Sequence, residues 1–514
     1  MSRLDRRSFV LGGAAAALLT AGGGVGAQVT PQLPHDPFQL GVASGDPTTD
    51  GFVLWTRLAP APLNPDGLGG MPATNVDVEW QVATDGNFAN VVASGIVTAV
   101  PSSAHSVHVE VSGLDHSRFY YYRFRTVSTP AHISPRGRTR TAPGPGVMPA
   151  KMTIAVASCA HFEEAWFHAF RQIANDSPDL VLFLGDYTYE FSTDKDTNVR
   201  EYVDWGTDVV DTLAEYRLRY AQHRTDPALR AAHAAAPWAV VFDDHEVKNG
   251  YHAGTPSAAQ KAQALQAWYE NMPVRAAQRP NGSAITLYRR LEWGALGRFH
   301  MLDTRTTRSP MATDMPSCAT IGSPNHRMIS GTQEQWLLDG LATHPATWDL
   351  IGQQVFFANR DPDRDPTTCD GGSESWDGYR QQRDRIAAGW VTRGVPNPVM
   401  LTGDVHRHWA VDLLQNPYNS NSAHIGVELV TTSVSSGGPR ASTEPDILQP
   451  HPVMPYIKYR RDRRGYVRCT LTAADLTAEF MTVSSTTEPD FSRVTVTPDR
   501  RFVVPAGQRR LMPG

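Results

Sequence analysis

Between residues 76 and 141 hydrophobic and polar side chains alternate in short stretches, as in Val76-Asp77-Val78-Glu79-Trp80-Gln81-Val82 and His108-Val109-Glu110-Val111. This period of two, broken by Gly, Asp, Pro and Ser turns and without helical periodicity, predicts an antiparallel β-sandwich. From about residue 151 the pattern changes to continuous apolar runs alternating with helical stretches. The helices are predicted over 164–175, 257–271 and 332–342, with further strands over 299–302, 349–353, 427–432 and 466–471. A Val/Ile/Leu/Phe run of four to six residues reads as a strand buried on both faces, as where helices cover a sheet. The expectation is an α/β sandwich preceded by a fibronectin/Ig-like β-sandwich, with Ala142-Pro143-Gly144-Pro145-Gly146 as the link. Within the first domain, Gly113-Leu114-Asp115 leading into Phe119-Tyr120-Tyr121-Tyr122 resembles the corner and penultimate strand of a fibronectin-type module, its tyrosines serving packing.

Four of the apolar runs end in metal-ligand side chains. They are Ile154-Ala155-Val156-Ala157-Ser158-Cys159, Leu180-Val181-Leu182-Phe183-Leu184-Gly185-Asp186-Tyr187-Thr188-Tyr189-Glu190, Ala239-Val240-Val241-Phe242-Asp243-Asp244-His245-Glu246 and Val399-Met400-Leu401-Thr402-Gly403-Asp404-Val405-His406-Arg407-His408. A strand followed by Gly-Asp is also a common exit from a sheet that caps the next helix. The ends here carry thiol, carboxylate, phenol and imidazole together, which is a coordination shell rather than a set of caps. In open α/β sheets the site lies outside the carboxyl ends of the strands, so these segments can meet.

Charged residues are 19%, hydrophobic residues 41% and the net charge is −5, so neither a polybasic nucleic-acid surface nor an anionic-membrane surface is indicated. The stretch Lys458-Tyr459-Arg460-Arg461-Asp462-Arg463-Arg464 reads as a solvated loop or strand edge. Residues 1–27, with Arg6-Arg7 before a weakly apolar Gly/Ala/Leu segment and a small-residue end at Ala27, read as a twin-arginine export signal. The twin-arginine translocase is then a transient partner, and the mature protein is expected in the periplasm or secreted, without a membrane span. Proteins exported by this route cross already folded and can carry a metal centre. Of the cysteines, Cys318 and Cys369 lie in polar loop sequence and can pair after export, while Cys469 reads as a packed strand residue.

These motifs, in this order, resemble the PhoD-type alkaline phosphatases of the calcineurin-like metallophosphoesterase superfamily. The likeness also includes Leu40-Gly41-Val42-Ala43-Ser44-Gly45-Asp46-Pro47, Leu54-Trp55-Thr56-Arg57, Leu302-Asp303-Thr304-Arg305 and Trp376-Asp377-Gly378-Tyr379. It implies domains at 28–145 and 146–514. It also implies a ferric ion (Fe3+) held by Cys159, Asp186, Tyr189 and His406, and calcium (Ca2+) held by Asp186, Asp244 and Asp404. Asp186 would bridge the ions, and Asp244 stands where several relatives have Asn, adding negative charge. The donor chemistry agrees: a phenol with an ordinary pKa of about 10 becomes a ligand beside a strong Lewis acid, and an all-oxygen second site suits a hard cation. Tyr187 competes with Tyr189 for iron, and the family spacing favours Tyr189. His161 is expected behind the ligands or in solvent, His408 in a loop, and Arg217, Arg219 and Arg224 as helix-surface charge.

Two metals about 3.5–4 Å apart activate a hydroxide and stabilise both oxygens of an in-line displacement at phosphorus. The expected function is therefore an exported phosphoric ester hydrolase acting on small or polymeric phosphate esters, with His245 as the catalytic acid that protonates the departing alkoxide. A dedicated phosphodiesterase for wall polymers or phospholipid headgroups is the alternative within hydrolases. A binding protein that has lost catalysis is the alternative from another class, and the intact donor set argues against it.

Overall fold

The computed structural model describes residues 30–514 apart from 193–197, 202–208, 312–317, 362, 366, 369–373 and 439–444. The twin-arginine segment, Cys369 and the side chain of Cys318 lie outside the described residues. Two large sheets form the frame. The first has the strand order Met512–Pro513, Val496–Pro505, Asp475–Val483, Gly465–Leu471, Met152–Ala157, Leu180–Leu184, Pro237–Val241, Val42–Gly45, Phe52–Arg57 and Ser106–Val111. The second runs Arg289–Trp293, Gly297–Met301, Trp348–Gln353, Pro398–Thr402, His424–Val430, His408–Leu414 and Ile457–Arg461.

The period-two geometry of a strand explains why the central runs are continuously apolar. Leu350 and Leu401 point into a core shared with Leu182 and Val240 of the first sheet. Their neighbours Ile351 and Met400 point the other way, onto Leu337, Ile386 and Trp390 of the helices Gly331–Leu341 and Arg380–Thr392. Phe170, Leu229 and Trp268 of the helices His168–Asp176, Pro227–Ala235 and Ala258–Asn271 join the core of the first sheet. Each large apolar side chain buried this way contributes roughly 1.5–3 kcal/mol.

The middle strands of each sheet pair in parallel. A bridge between Ser158 and Ser433 ties the two sheets where those strands end. The carboxyl ends of both sheets therefore face one volume, which is where the site lies.

The N-terminal region builds a four-stranded sheet, ordered Val91–Ala99, Val76–Ala83, Phe119–Thr126 and Gly137–Arg140. Its facing layer is the Val42–Gly45, Phe52–Arg57 and Ser106–Val111 end of the first large sheet, and the apolar side chains of both form one core. Ser44 pairs with Pro237 and Gly45 with Trp238, so the sandwich continues the sheet that carries the site. Tyr120 donates its hydroxyl to the Asp115 carbonyl at 3.2 Å, a tyrosine corner. Asp46 and Arg289 form a buried ion pair at 2.8 Å, and Arg289 also donates to the Val240 carbonyl at 2.9 Å. Removing one partner from such a pair costs about 3–5 kcal/mol.

Several sequence expectations are corrected. Arg217, Arg219 and Arg224 lie on the helix Leu213–Thr225 but are buried, not helix-surface charges. Arg217 forks onto Glu270 at 2.6 and 2.7 Å, Arg219 pairs with Glu163, and Arg224 donates to the Asn271 carbonyl at 2.9 Å. Each is fixed by a distant element that completes its burial. His408 opens a strand instead of lying in a loop, its ring buried at 3.1 Å from the Met481 carbonyl. The basic stretch does form an edge strand, yet Arg464 is buried, donating to Ser433 Oγ at 2.9 Å. The first helix begins only at His168, and Glu164, expected inside it, lies before it and accepts the Gly437 amide through its carboxylate. Among the described residues no helix is long and apolar enough to cross a membrane.

Candidate metal centre

Four of the donors leave their strands through strained turns. Cys159 (φ 59°), Asp186 (φ 55°), Asp404 (φ 62°) and His406 (φ 57°) all adopt the left-handed region without being glycine. That conformation costs roughly 1–2 kcal/mol per residue and persists only where the surroundings impose it. Gly185, at φ 103°, lets the second and third turns meet: a Cβ there would sit 2.5 Å from Asp243 Cβ.

These turns bring Cys159, Asp186, Tyr189 and His406 together. Cys159 Sγ lies 3.5 Å from Asp186 Oδ2, and the Tyr189 hydroxyl is 3.2 Å from both Asp186 Oδ2 and His406 Nε2. Metal–donor bonds of about 2.0–2.3 Å set donors about 3–3.5 Å apart, so the spacing fits one ion among them. The other oxygen of Asp186 faces away from that group and accepts the His245 amide at 3.4 Å. A second group is Asp243, Asp244 and Asp404, one carboxylate oxygen of each lying within 4.8 Å of the others. Asp186 also groups with Asp244 and His245 at that distance, so its carboxylate stands between the two sets.

Burial sets the electrostatics. It pushes the Cys159 thiol and the Tyr189 phenol well above their ordinary pKa values, with Asp186 adding to both. Burial likewise raises Asp186 well up and Asp404 to about 7. It depresses the His406 imidazolium to about 3, leaving neutral nitrogen donors. Anionic donors crowded at buried strand ends have their charged forms penalised until a cation arrives, so this donor set fits a strongly charged one. Asp244 departs from this trend: burial opposes its charge, but Arg305 and His245 hold it at about 2.

Arg305 is a site residue whose role the sequence did not disclose. It is buried, bonds Asp243 through Nε, and brings Nη2 to 3.2 Å from Asp244 and 3.6 Å from Asp404. Glu246 is another. Its carboxylate accepts the amides of Asp186 (3.0 Å), Tyr187 (2.6 Å) and Asp243 (2.9 Å), pinning two donor turns together. Glu190 is the third, 2.8 Å from His245 Nδ1 and accepting the Asn249 amide at 2.6 Å. Burial alone would depress His245, but Asp186, Asp244 and Glu190 override it and push its pKa up to about 10. Each role depends on contacts across many residues, and a carboxylate beside a histidine was the only local hint.

Tyr187 turns into the core, its hydroxyl 3.0 Å from His233 Nε2, while Tyr189 faces the donors. His161 is buried, bonded to the Phe191 carbonyl at 3.2 Å and stacked on Tyr189 at 4.4 Å, and so stands behind the phenol. His245 covers the other face of the same ring at 4.2 Å.

Helices outside two sheets, with thiol, phenol, carboxylates and imidazoles at the strand ends, define a metallophosphatase-like fold. The PhoD-like phosphatase model matches residues 154–480, and the model of the PhoD-like phosphatase N-terminal domain matches 24–143. The chain is 41% identical over 509 residues to alkaline phosphatase D of Bacillus subtilis (strain 168), covering 94% of this chain and 85% of that one. It therefore belongs to the PhoD-like phosphatase family. A solved structure of PhoD superposes with TM-score 0.85 at 39% identity, covering 94% of this chain and 93% of that one. A purple acid phosphatase, PPD1 from yellow lupin (Lupinus luteus), shares the fold with TM-score 0.56 at 12% identity, covering 93% and 75%.

If Glu190 shares in holding the His245 charge, Glu190→Gln lowers the imidazole pKa of the metal-free protein from its raised value. An NMR titration of that ring reads the shift; an unchanged midpoint would leave the charge to Asp186 and Asp244 alone.

Proposed function

We propose that the chain is an exported, metal-dependent alkaline phosphatase that hydrolyses phosphate monoesters and diesters. In this reading iron(III) is held by Cys159, Asp186, Tyr189 and His406, and calcium by Asp186, Asp244 and Asp404. The observation that carries it is the convergence of the first four donors at 3.2–3.5 Å beside a second, all-oxygen group. Such a pair of cations supplies Lewis-acid stabilisation of charge on the oxygens of an in-line displacement at phosphorus.

The chain's own residues supply the rest. Asp186 serves both groups through its two oxygens. Arg305 fixes the mutual positions of Asp243, Asp244 and Asp404 while balancing part of their charge. Glu190 occupies Nδ1 of His245, which leaves the Nε2 proton for the departing alkoxide. The rings of Tyr189 and half-buried Phe191 pack beside that ring and limit its access to water. Residues 1–27 act as the export signal, 28–145 as the N-terminal domain and 146–514 as the catalytic domain. Arg6-Arg7 before the apolar segment supports export.

Elemental analysis of the exported protein is expected to find one iron and at least one calcium per chain. A violet or brown phenolate-to-iron band should vanish in Tyr189→Phe and survive in Tyr187→Phe. A colourless, fully active, zinc-only protein would overturn the assignment.

Replacing Arg6 and Arg7 together by lysine should leave active enzyme in the cytoplasm, read by fractionation. Normal export of that variant removes the twin-arginine reading.

His245→Ala should lose turnover by about 10²–10⁴-fold on alkyl phosphates and less on nitrophenyl phosphates, with metal content retained. An alkoxide needs a proton to leave, whereas a nitrophenolate does not. Asp404→Ala should lose metal and damage both substrates alike. Equal losses in His245→Ala at matched metal loading would reject its role as acid.

A further inference from the structure

Gln354 is the first residue beyond the strand Trp348–Gln353 and is fully buried. A primary amide offers two N–H donors and one oxygen with two acceptor sites, and here every one is used. Nε2 donates to the carbonyls of Phe242 at 2.9 Å and Leu302 at 3.1 Å. Oε1 accepts from Thr304 Oγ1 at 2.6 Å and from the Thr304 amide at 3.3 Å. The main-chain oxygen of Gln354 accepts the Gly403 amide at 2.9 Å.

Those partners have one thing in common. Phe242 directly precedes Asp243-Asp244, Thr304 precedes Arg305, and Gly403 precedes Asp404. A single residue therefore ties together the three loops that carry the second carboxylate group and the guanidinium against it. The other group is fastened differently. Cys159 donates its amide to Gly185 at 3.1 Å, Glu246 pins the Asp186 turn, and Thr432 Oγ1 holds the His406 carbonyl at 3.0 Å.

We propose that Gln354 is a positioning residue for the second cation, setting the separation of Asp244, Asp404 and Arg305 without touching the ion. The inference rests on the two-cation reading above. It assigns calcium affinity, more than iron retention, to a side chain that bears no charge. Partners one layer behind metal ligands typically control affinity by about 10–100-fold.

The test is calcium titration of the iron-loaded protein by calorimetry, with the visible band recorded in parallel. Gln354→Glu keeps the side chain's shape and its acceptor for Thr304 but places an oxygen against the Phe242 and Leu302 carbonyls. Buried against two carbonyls the carboxyl takes up a proton and can donate to only one of them, so weakening reports the lost tie and not an added charge. The expected result is calcium binding weaker by about 10–100-fold, with iron content and band position unchanged and kcat recovering at saturating calcium. Thr304→Val, which removes one hydroxyl from the same network, should weaken calcium binding in the same direction by a smaller factor and serves if the first variant does not fold. Calcium affinity unchanged within a factor of about two in Thr304→Val and in any folded Gln354→Glu, or iron lost in step with calcium, overturns the proposal. Wild-type protein that holds iron but binds no calcium instead removes the two-cation reading, and this inference falls with it.

Discussion

Confining thiol, phenol and carboxylate side chains together at the buried ends of the strands is the constraint on which the rest of the structure depends. Cys159, Asp186, Tyr189, Asp243 and Asp244 are all nearly fully buried and Asp404 is half-buried beside them, and their charged forms repel one another there. An isolated hairpin or loop could not hold such a set. The two sheets can, because their central strands, packed into a core, fix the points from which the turns depart. The left-handed conformations at four donor positions are a local expression of this constraint. The backbone accepts strain where the core over-determines its path, and the side chains are thereby aimed inward.

Buried charged groups around the donors complete that confinement. Arg305 brings its guanidinium to three aspartates, and Glu246 spends a whole carboxylate on main-chain amides of two donor turns. Burial raises its pKa to about 7, against the amides of Tyr187, Asp243 and Asp186, which favour its charged form. The N-terminal sandwich belongs to the same scheme. By pairing Val42–Gly45 onto Pro237–Val241 it covers the edge of the strand that leads to Asp243, Asp244 and His245, and Arg289 clasps Asp46 across the junction.

The donors themselves were legible in the sequence because each follows directly on an apolar run, so local pattern and chemistry coincide. The two-layer frame was legible for the same reason. What holds the donors was not. Gln354 reaches Phe242 across 112 residues and Thr304 across 50, and neither separation leaves a periodic trace. The arginines of the helix Leu213–Thr225 were misread for a related reason. A helix read alone assigns its charges to solvent, but Glu163, in the loop after Met152–Ala157, and Glu270, on the helix Ala258–Asn271, are placed against them only by the folded chain. The late strands Asp475–Val483 and Val496–Pro505 were missed because their pairing is set by each other and by Gly465–Leu471, not by an apolar run of their own.

Tyr189 shows how one residue can answer to structure and chemistry at once. Its ring lies between the imidazoles of His161 and His245, while its hydroxyl meets Asp186 and His406. Held on both faces, the phenol has little freedom to turn away, which spares the entropy of ordering a ligand at the moment of binding. The same stack seats His245 against a ring that is itself seated by the donors. Its Nδ1 is taken by Glu190 and its amide by Asp186, so the imidazole is constrained from the ring face, the ring nitrogen and the backbone together. The residue read as the proton donor is thus positioned by the residues read as metal ligands. A change in either group must therefore be felt by the other through packing, before any effect of charge is counted.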